Sequence, residues 1–258
     1  MKKTRNIGTR AKKALDSLAL IRKKHNTAII LAGGSGERAG GDIPKQHAPV
    51  LGVPCVARTV GVFDSCGFFD EIIVVCREGE EKIYESYREK YGWSTPVRTV
   101  AGGQTRFASA IRGFRTVRDD TDFVYIHDAA RCLVTKEIIE EVGHEACLHG
   151  AAYAARRPSD TVRQDGGQTL DRDGIWLAQT PQVFGASLYR ASAFVSLKDG
   201  ITATDDVSLA EHAGFRPVPV PCGNENIKLT YPVDFAIAEA ILGYREKNDP
   251  GEGAEKDE

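Results

Sequence analysis

The sequence predicts an α/β fold: a mostly parallel β-sheet with helices on both faces and a β-arm protruding from it. Three observations predict it. From Thr27 onward, short apolar runs alternate with helix-length amphipathic segments, the pattern of a sheet built from strand–helix–strand units. The first apolar run passes straight into a glycine-rich loop, Ala32 to Gly41, where an open parallel sheet binds phosphates. Between Thr161 and Phe184, Gly166, Gly167, Asp171, Asp173, Gly174 and Pro181 break up short apolar pieces, which reads as a hairpin arm outside the main sheet.

In chain order, the strands are expected at Thr27–Leu31, Glu71–Cys76, Val97–Val100, Phe123–Ile126, Ala151–Ala155 and Val218–Val220. The helices between and after them are expected at Cys55–Cys66, Glu80–Tyr91, Thr105–Val117, Lys136–Leu148, Asp205–Ala213 and Val233–Tyr244. One main domain, residues 27–247, accounts for these elements, since an α/β chain of 258 residues is commonly a single domain. On the arm, the apolar Ile175, Trp176 and Leu177 need burial. A second copy of the chain supplies it in a homodimer; folding back on the chain's own domain is the alternative.

The ends differ in character from the middle. Residues 1–26 carry nine Lys or Arg against the single acid Asp16, which fits either an amphipathic helix around Ala11 to Ile21 with solvated basic flanks or an organelle-targeting segment. Residues 248–258 are Gly-rich and acidic, the composition of a disordered tail. The whole chain has a formal charge of −2, so it lacks the basic field of a nucleic-acid binder. No apolar run is long enough to cross a bilayer. Six scattered cysteines with no C-x-x-C pair argue against a zinc site or a disulfide framework and for a reducing cytoplasm.

The chemistry starts in the glycine loop. Gly34-Ser35-Gly36-Glu37-Arg38-Ala39 satisfies the loose dinucleotide fingerprint, so a dehydrogenase has to be weighed. That fingerprint opens directly into a helix, whereas here the chain runs on through Gly40, Gly41 and Pro44, residues that favour an extended loop. A Gly-Lys-Ser/Thr sequence is missing from the loop, which excludes a Walker A motif. What remains is a loop with two cations, Arg38 and Lys45, suited to a triphosphate whose charge shifts during displacement at phosphorus. Farther on, the strand Phe123–Ile126 leads into His127-Asp128-Ala129-Ala130-Arg131, which sets an acid at the carboxyl end of a parallel strand. One carboxylate there can hold Mg²⁺ that takes its other ligands from phosphates, which makes Asp128 the expected metal ligand; without the glycine loop, a helix cap or an ion pair with Arg131 would be the alternative.

Leu31 to Arg38, Pro44-Lys45-Gln46, His127 to Arg131, Thr180-Pro181-Gln182 and Asn226-Ile227-Lys228-Leu229-Thr230 occur together and in this order. In these motifs, over about Thr27 to Tyr244, the chain resembles the 2-C-methyl-D-erythritol 4-phosphate cytidylyltransferases of the non-mevalonate isoprenoid pathway. The resemblance implies a Rossmann-like nucleotidyltransferase sheet and an Mg²⁺-dependent transfer of CMP from CTP to a sugar- or polyol-phosphate acceptor, releasing pyrophosphate. It implies that Ala32, Gly33, Gly34 and Gly103 hold the cytidine through backbone groups, with Ser109 reaching the base. Arg38, Lys45 and Lys228 would surround the triphosphate, Asp128 would place the metal, and Arg131, Thr202 and Thr204 would form the acceptor pocket.

Four positions depart from the family pattern. Cys132 stands where proline is usual, His47 where a larger aromatic is common, and Thr105 where an acid is frequent. Ser159, just before Asp160-Thr161, stands where the methylerythritol enzymes often carry a basic residue for the acceptor phosphate. Arg156, Arg157 and Arg163 are near enough in sequence to replace it. The run from Thr169 to Trp176 and Thr204-Asp205-Asp206 resemble the methylerythritol branch, with ribitol 5-phosphate as the alternative acceptor. A nucleotidyltransferase for another base and a non-catalytic nucleotide-binding protein are the remaining readings, the last disfavoured by the full set Arg38, Lys45, Asp128 and Lys228.

Overall fold

The computed structural model describes residues 20–34 and 43–248; the expected tail, most of the basic extension and Arg38 lie outside the described residues. Seven strands form one sheet in the order β5-β4-β1-β6-β8-β7-β9. They are β1 (Asn26–Leu31), β4 (Glu71–Cys76), β5 (Val97–Ala101), β6 (Phe123–Asp128), β7 (Ala151–Arg156), β8 (Leu177–Gly185) and β9 (Val218–Pro221), and a small hairpin of β2 (Pro49–Val50) and β3 (Val53–Pro54) stands apart. Pairing is parallel through β5, β4, β1 and β6 and between β7 and β9, while β8 runs antiparallel to both of its neighbours.

Strands β1 and β4 are almost wholly buried and carry the apolar runs Ala28 to Leu31 and Ile72 to Cys76, as the centre of a sheet covered on both faces requires. One face is covered by α1 (Cys55–Ser65), α2 (Glu81–Tyr91) and α4 (Lys136–His149), whose Val60, Phe63, Tyr84 and Val142 pack on Ile30, Ile72 and Val74. The other face carries α3 (Arg106–Phe114), α5 (Ala186–Lys198) and α6 (Asp206–His212), which bury Phe114, Tyr189 and Leu209 against Ile29, Ile73 and Val124. The last helix, α7 (Pro232–Asn248), packs Ala238 with Leu133, Leu229 and Cys132 in a third cluster. Ile21, at the end of the predicted N-terminal helix, is fully buried in the first cluster.

Side-chain caps fix where three helices begin. Thr105 accepts from the amide of Ala108, Thr135 from Ile138 and Asp205 from Ser208, each satisfying a backbone donor that the first turn leaves unpaired. These residues were expected inside or beside the helices they cap.

The arm is shorter than the sequence suggested. Residues 177–184 belong to β8, which sits inside the main sheet between β6 and β7. The register of β7 on β8 slips between Tyr153 and Ala155, beside Pro181, a residue that has no amide to give a ladder. The remaining excursion holds one isolated bridge, Arg163 to Thr169. At its base the Arg157 guanidinium lies 3.6 Å over the Trp176 ring, and Trp176 packs against the chain's own core. No helix among the described residues is long and apolar enough to cross a membrane.

Candidate active site

The carboxyl ends of β1, β4, β5 and β6 meet where the chain order of the strands reverses, and there the described residues enclose a cavity of about 940 Å³. Each strand end delivers one wall. β1 contributes Ala32, Gly33 and Gly34, with the Ala32 amide bonded to the Val75 carbonyl at 2.8 Å. β4 contributes Arg77, whose Nη2 donates to the Gly34 carbonyl at 2.8 Å and so ties the start of the glycine loop to the next strand.

After β5, the turn Gly102-Gly103 lies directly on the first turn of α3. A Cβ at Gly103 would come within 2.5 Å of the Ala108 Cβ, so the close approach requires glycine here. The Gly103 amide donates to Ser109 Oγ at 3.0 Å, which sets that hydroxyl at the cavity wall. Gly103 and Ser109, predicted to hold the cytidine, are thus a single hydrogen-bonded unit.

Lys45 lies in a turn closed by amides of His47 and Ala48 on the Pro44 carbonyl, and it lines the same cavity as Asp128 and Lys228. The Gln46 carbonyl accepts from the Val56 amide at 2.8 Å, which anchors this turn to the start of α1. His47 faces away from the cavity and fills the place of a larger aromatic: its ring packs on Tyr84 and Tyr87, and Nδ1 is 3.2 Å from the Tyr87 hydroxyl.

Asp128 closes the floor as the last residue of β6, its side chain 10% exposed. Lys228 Nζ is 2.7 Å from Oδ2, and Arg106 Nε is 3.1 Å from Oδ1. Burial alone would raise the Asp128 pKa, but Arg106 and then Lys228 outweigh it and hold the carboxyl well below the usual range. Thr180 Oγ1 accepts the Asp128 amide at 3.1 Å and is 3.0 Å from His127 Nδ1. Burial pushes the His127 pKa down to about 3; its Nε2, 3.3 Å from the Arg131 carbonyl, is the ring's donor, so Nδ1 accepts from the Thr180 hydroxyl.

Two residues that sequence reasoning did not single out belong to this site. Arg106, the first residue of α3, bridges Asp128 and Asp206, with Nη1 2.7 Å from Asp206 Oδ2. Arg77 holds the glycine loop. Arg77 directly follows the carboxyl end of β4, the same positional signal that pointed to Asp128, whereas Arg106 comes after the Gly102-Gly103 turn that follows β5. Of the predicted acceptor residues, Arg131 lies half-buried behind the Asp128 turn and donates to the Asn226 carbonyl at 2.8 Å. Thr202 and Thr204 are exposed on the loop before α6 and stand apart from the residues that line the cavity. Cys132 is buried in the cluster beneath the floor together with Cys55.

The family model described as 2-C-methyl-D-erythritol 4-phosphate cytidylyltransferase matches residues 26–244. The chain belongs to this family. The family member of Geobacillus thermodenitrificans is 38% identical over 223 residues, covering 84% of this chain and 97% of that protein. The chloroplastic 2-C-methyl-D-erythritol 4-phosphate cytidylyltransferase of Oryza sativa is 31% identical, covering 86% of this chain and 76% of that protein. Among solved structures, a 4-diphosphocytidyl-2C-methyl-D-erythritol synthase from Anaerococcus prevotii superposes with a TM-score of 0.76 at 29% identity, covering 85% of this chain and 99% of that one. The matched range runs from β1 into α7 and spans every cavity residue named above.

Proposed function

We propose that the chain transfers CMP from CTP to 2-C-methyl-D-erythritol 4-phosphate, releasing pyrophosphate, and that the cavity between the ends of β1, β4, β5 and β6 is where it does so. The observation that carries this reading is the charge lining the cavity, where Lys228 and Arg106 meet the Asp128 carboxylate and Lys45 lines the same cavity. Family membership supplies the reaction and both substrates.

In that reaction an acceptor-phosphate oxygen bonds to the α-phosphorus of CTP, and the bond from that phosphorus to the bridging oxygen breaks. Pyrophosphate leaves with the electron pair. The attacking oxygen is already ionised, so no side chain has to remove a proton from it. Lys45, Lys228 and, from the loop outside the described residues, Arg38 stabilise the charge on the five-coordinate phosphorus and on the departing pyrophosphate. Gly33, Gly34, Gly103 and Ser109 orient the cytidine, which converts the encounter into an aligned displacement.

Asp128 would hold Mg²⁺. Among the described residues no three His, Cys, Asp or Glu side chains gather around a common point, and a single carboxylate at the end of β6 fits a hard ion that draws most of its ligands from phosphate oxygens and water. Bound there, Mg²⁺ supplies neutralising charge to the triphosphate.

For the acceptor, Arg131 follows the end of β6 and feels the charge of Arg156, the last residue of β7. Arg157 is occupied by Trp176 and the Ile175 carbonyl, and Arg163 by Thr169 and Gly167. This leaves Arg156, at the end of β7, to do what Ser159 cannot. Competition between 2-C-methyl-D-erythritol 4-phosphate and ribitol 5-phosphate, compared by kcat/KM, is expected to favour the former; the opposite order would reassign the acceptor while leaving cytidylyl transfer in place.

The proposal includes a homodimer joined through the arm, supported by Ile175, Trp176 and Leu177, which stay only half-buried within one chain. Sedimentation at micromolar concentration is expected to give about twice the chain mass, and a fully active monomer at every concentration rejects it. Cytoplasmic location is supported by free cysteines at every described cysteine position.

A further inference from the structure

We infer that Tyr189, Asp206 and Arg106 form a brace that sets the orientation and the charge of Asp128, so that α5 and α6 act on the transfer step without touching either substrate. This rests on the reading of Asp128 as the carboxylate that meets the nucleotide's phosphates and their metal.

The brace is continuous. The Tyr189 hydroxyl donates to Asp206 Oδ1 at 2.6 Å, Arg106 Nη1 donates to Asp206 Oδ2 at 2.7 Å, and Arg106 Nε donates to Asp128 Oδ1 at 3.1 Å. Asp206 is 1% exposed and Tyr189 is fully buried. The backbone under Asp206 is pinned as well: Gln182 Oε1, from β8, accepts the amides of Asp206 and Val207 at 2.9 and 3.2 Å. Both Asp206 oxygens are therefore committed, and Arg106 is held at a fixed place.

A purely structural account does not explain the arrangement. An acid in the first turn of α6 is favourable on its own and needs no arginine from α3. The guanidinium also leaves Nη2 buried without a partner, a cost that a pairing made only for stability would avoid. The contrast with Lys228 shows what the arginine adds. Lys228 meets the same carboxylate through a flexible stem and is 38% exposed, so it can leave Asp128 for a phosphate. Arg106 cannot.

Charge completes the case. Two carboxylates against one guanidinium leave one negative charge on Asp128, Asp206 and Arg106 together once Lys228 moves to the triphosphate. Without Asp206, Arg106 would cancel Asp128, and the floor would offer no net charge to a divalent cation. Asp206 thereby keeps Asp128 both aimed and negative.

The test uses the full chain with Tyr189→Phe and Asp206→Asn, and Asp128→Asn as reference. The Tyr189 ring is held by Phe114 and Phe184, so removing its hydroxyl spares the packing, and this variant decides the matter if Asp206→Asn does not fold. Loss of a residue that supports a metal-site carboxylate typically costs about 10–100-fold. Expected are a kcat fall of that size for Asp206→Asn and about tenfold for Tyr189→Phe, with KM for CTP nearly unchanged. Calorimetry should show the Mg²⁺-dependent part of CTP binding weakened and the binding in EDTA retained. A lowered Tm with unchanged kcat and unchanged Mg²⁺-dependent binding overturns the brace. Should Asp128→Asn itself stay fully active, the reading of Asp128 falls and the brace with it; an inactive Asp128→Asn beside two normal variants removes the brace alone.

Discussion

Asp128→Asn is expected to lower kcat by roughly 10² or more, the size of loss that follows when a reacting group is misplaced by about 1 Å. The substitution keeps the volume and removes the charge on which Arg106 and Lys228 converge. Arg106 then retains Asp206 alone, and Lys228 loses its partner. Excess Mg²⁺ is expected to restore little of the rate, because the residue that would receive it has changed. Stability should also fall, since breaking a buried ion pair typically costs about 3–5 kcal/mol; the exposure of Lys228 lowers its share. A magnesium titration of the variant, with its Tm, checks both halves, and a wild-type magnesium dependence would remove Asp128 from the metal's reach.

Lys45→Ala is expected to leave the fold intact and lower kcat by about 10²–10³, the typical cost of deleting a charge-stabilising donor. The turn that carries Lys45 is held by backbone bonds from His47 and Ala48 and by the Gln46 carbonyl on α1, none of which involves the lysine side chain. Unchanged circular dichroism together with the rate loss is the expected pair of results; near-normal turnover would exclude Lys45 from the chemistry.

The sequence made the parallel half of the sheet readable because its signals are strong and local. Strands such as Ile72 to Val75 are uninterrupted apolar runs, and the helices after them alternate with the period of a half-buried face. The cavity followed from the same rule, since the glycine loop leaves the end of β1 and Asp128 ends β6. Strand β8 was hidden because its buried residues include Gln179, Thr180 and Gln182 and it contains Pro181, a composition that reads as a turn. Helix α5 was missed because Ser192, Ala193 and Ser196 make up much of its buried face, and such small residues carry almost no hydropathy signal. Arg106 escaped because its two carboxylate partners lie 22 and 100 positions away, a convergence only the folded chain reveals. Thr202 and Thr204 were matched to a pattern whose buried member is Asp206.

The 100 positions between Asp128 and Lys228 also bear on how the chain is made. When residue 128 leaves the ribosome, the strands that pair side by side up to β6 are already available, but Asp128 has no Lys228 and Arg106 has no Asp206. Thr180, which caps the Asp128 amide, is also still to come. The nucleotide floor is therefore finished only near the end of synthesis, after β8 has slotted in beside β6. A chain stopped short of residue 228 lacks the lysine that meets Asp128, so under the proposed function it is expected to hold CTP more weakly than the full chain.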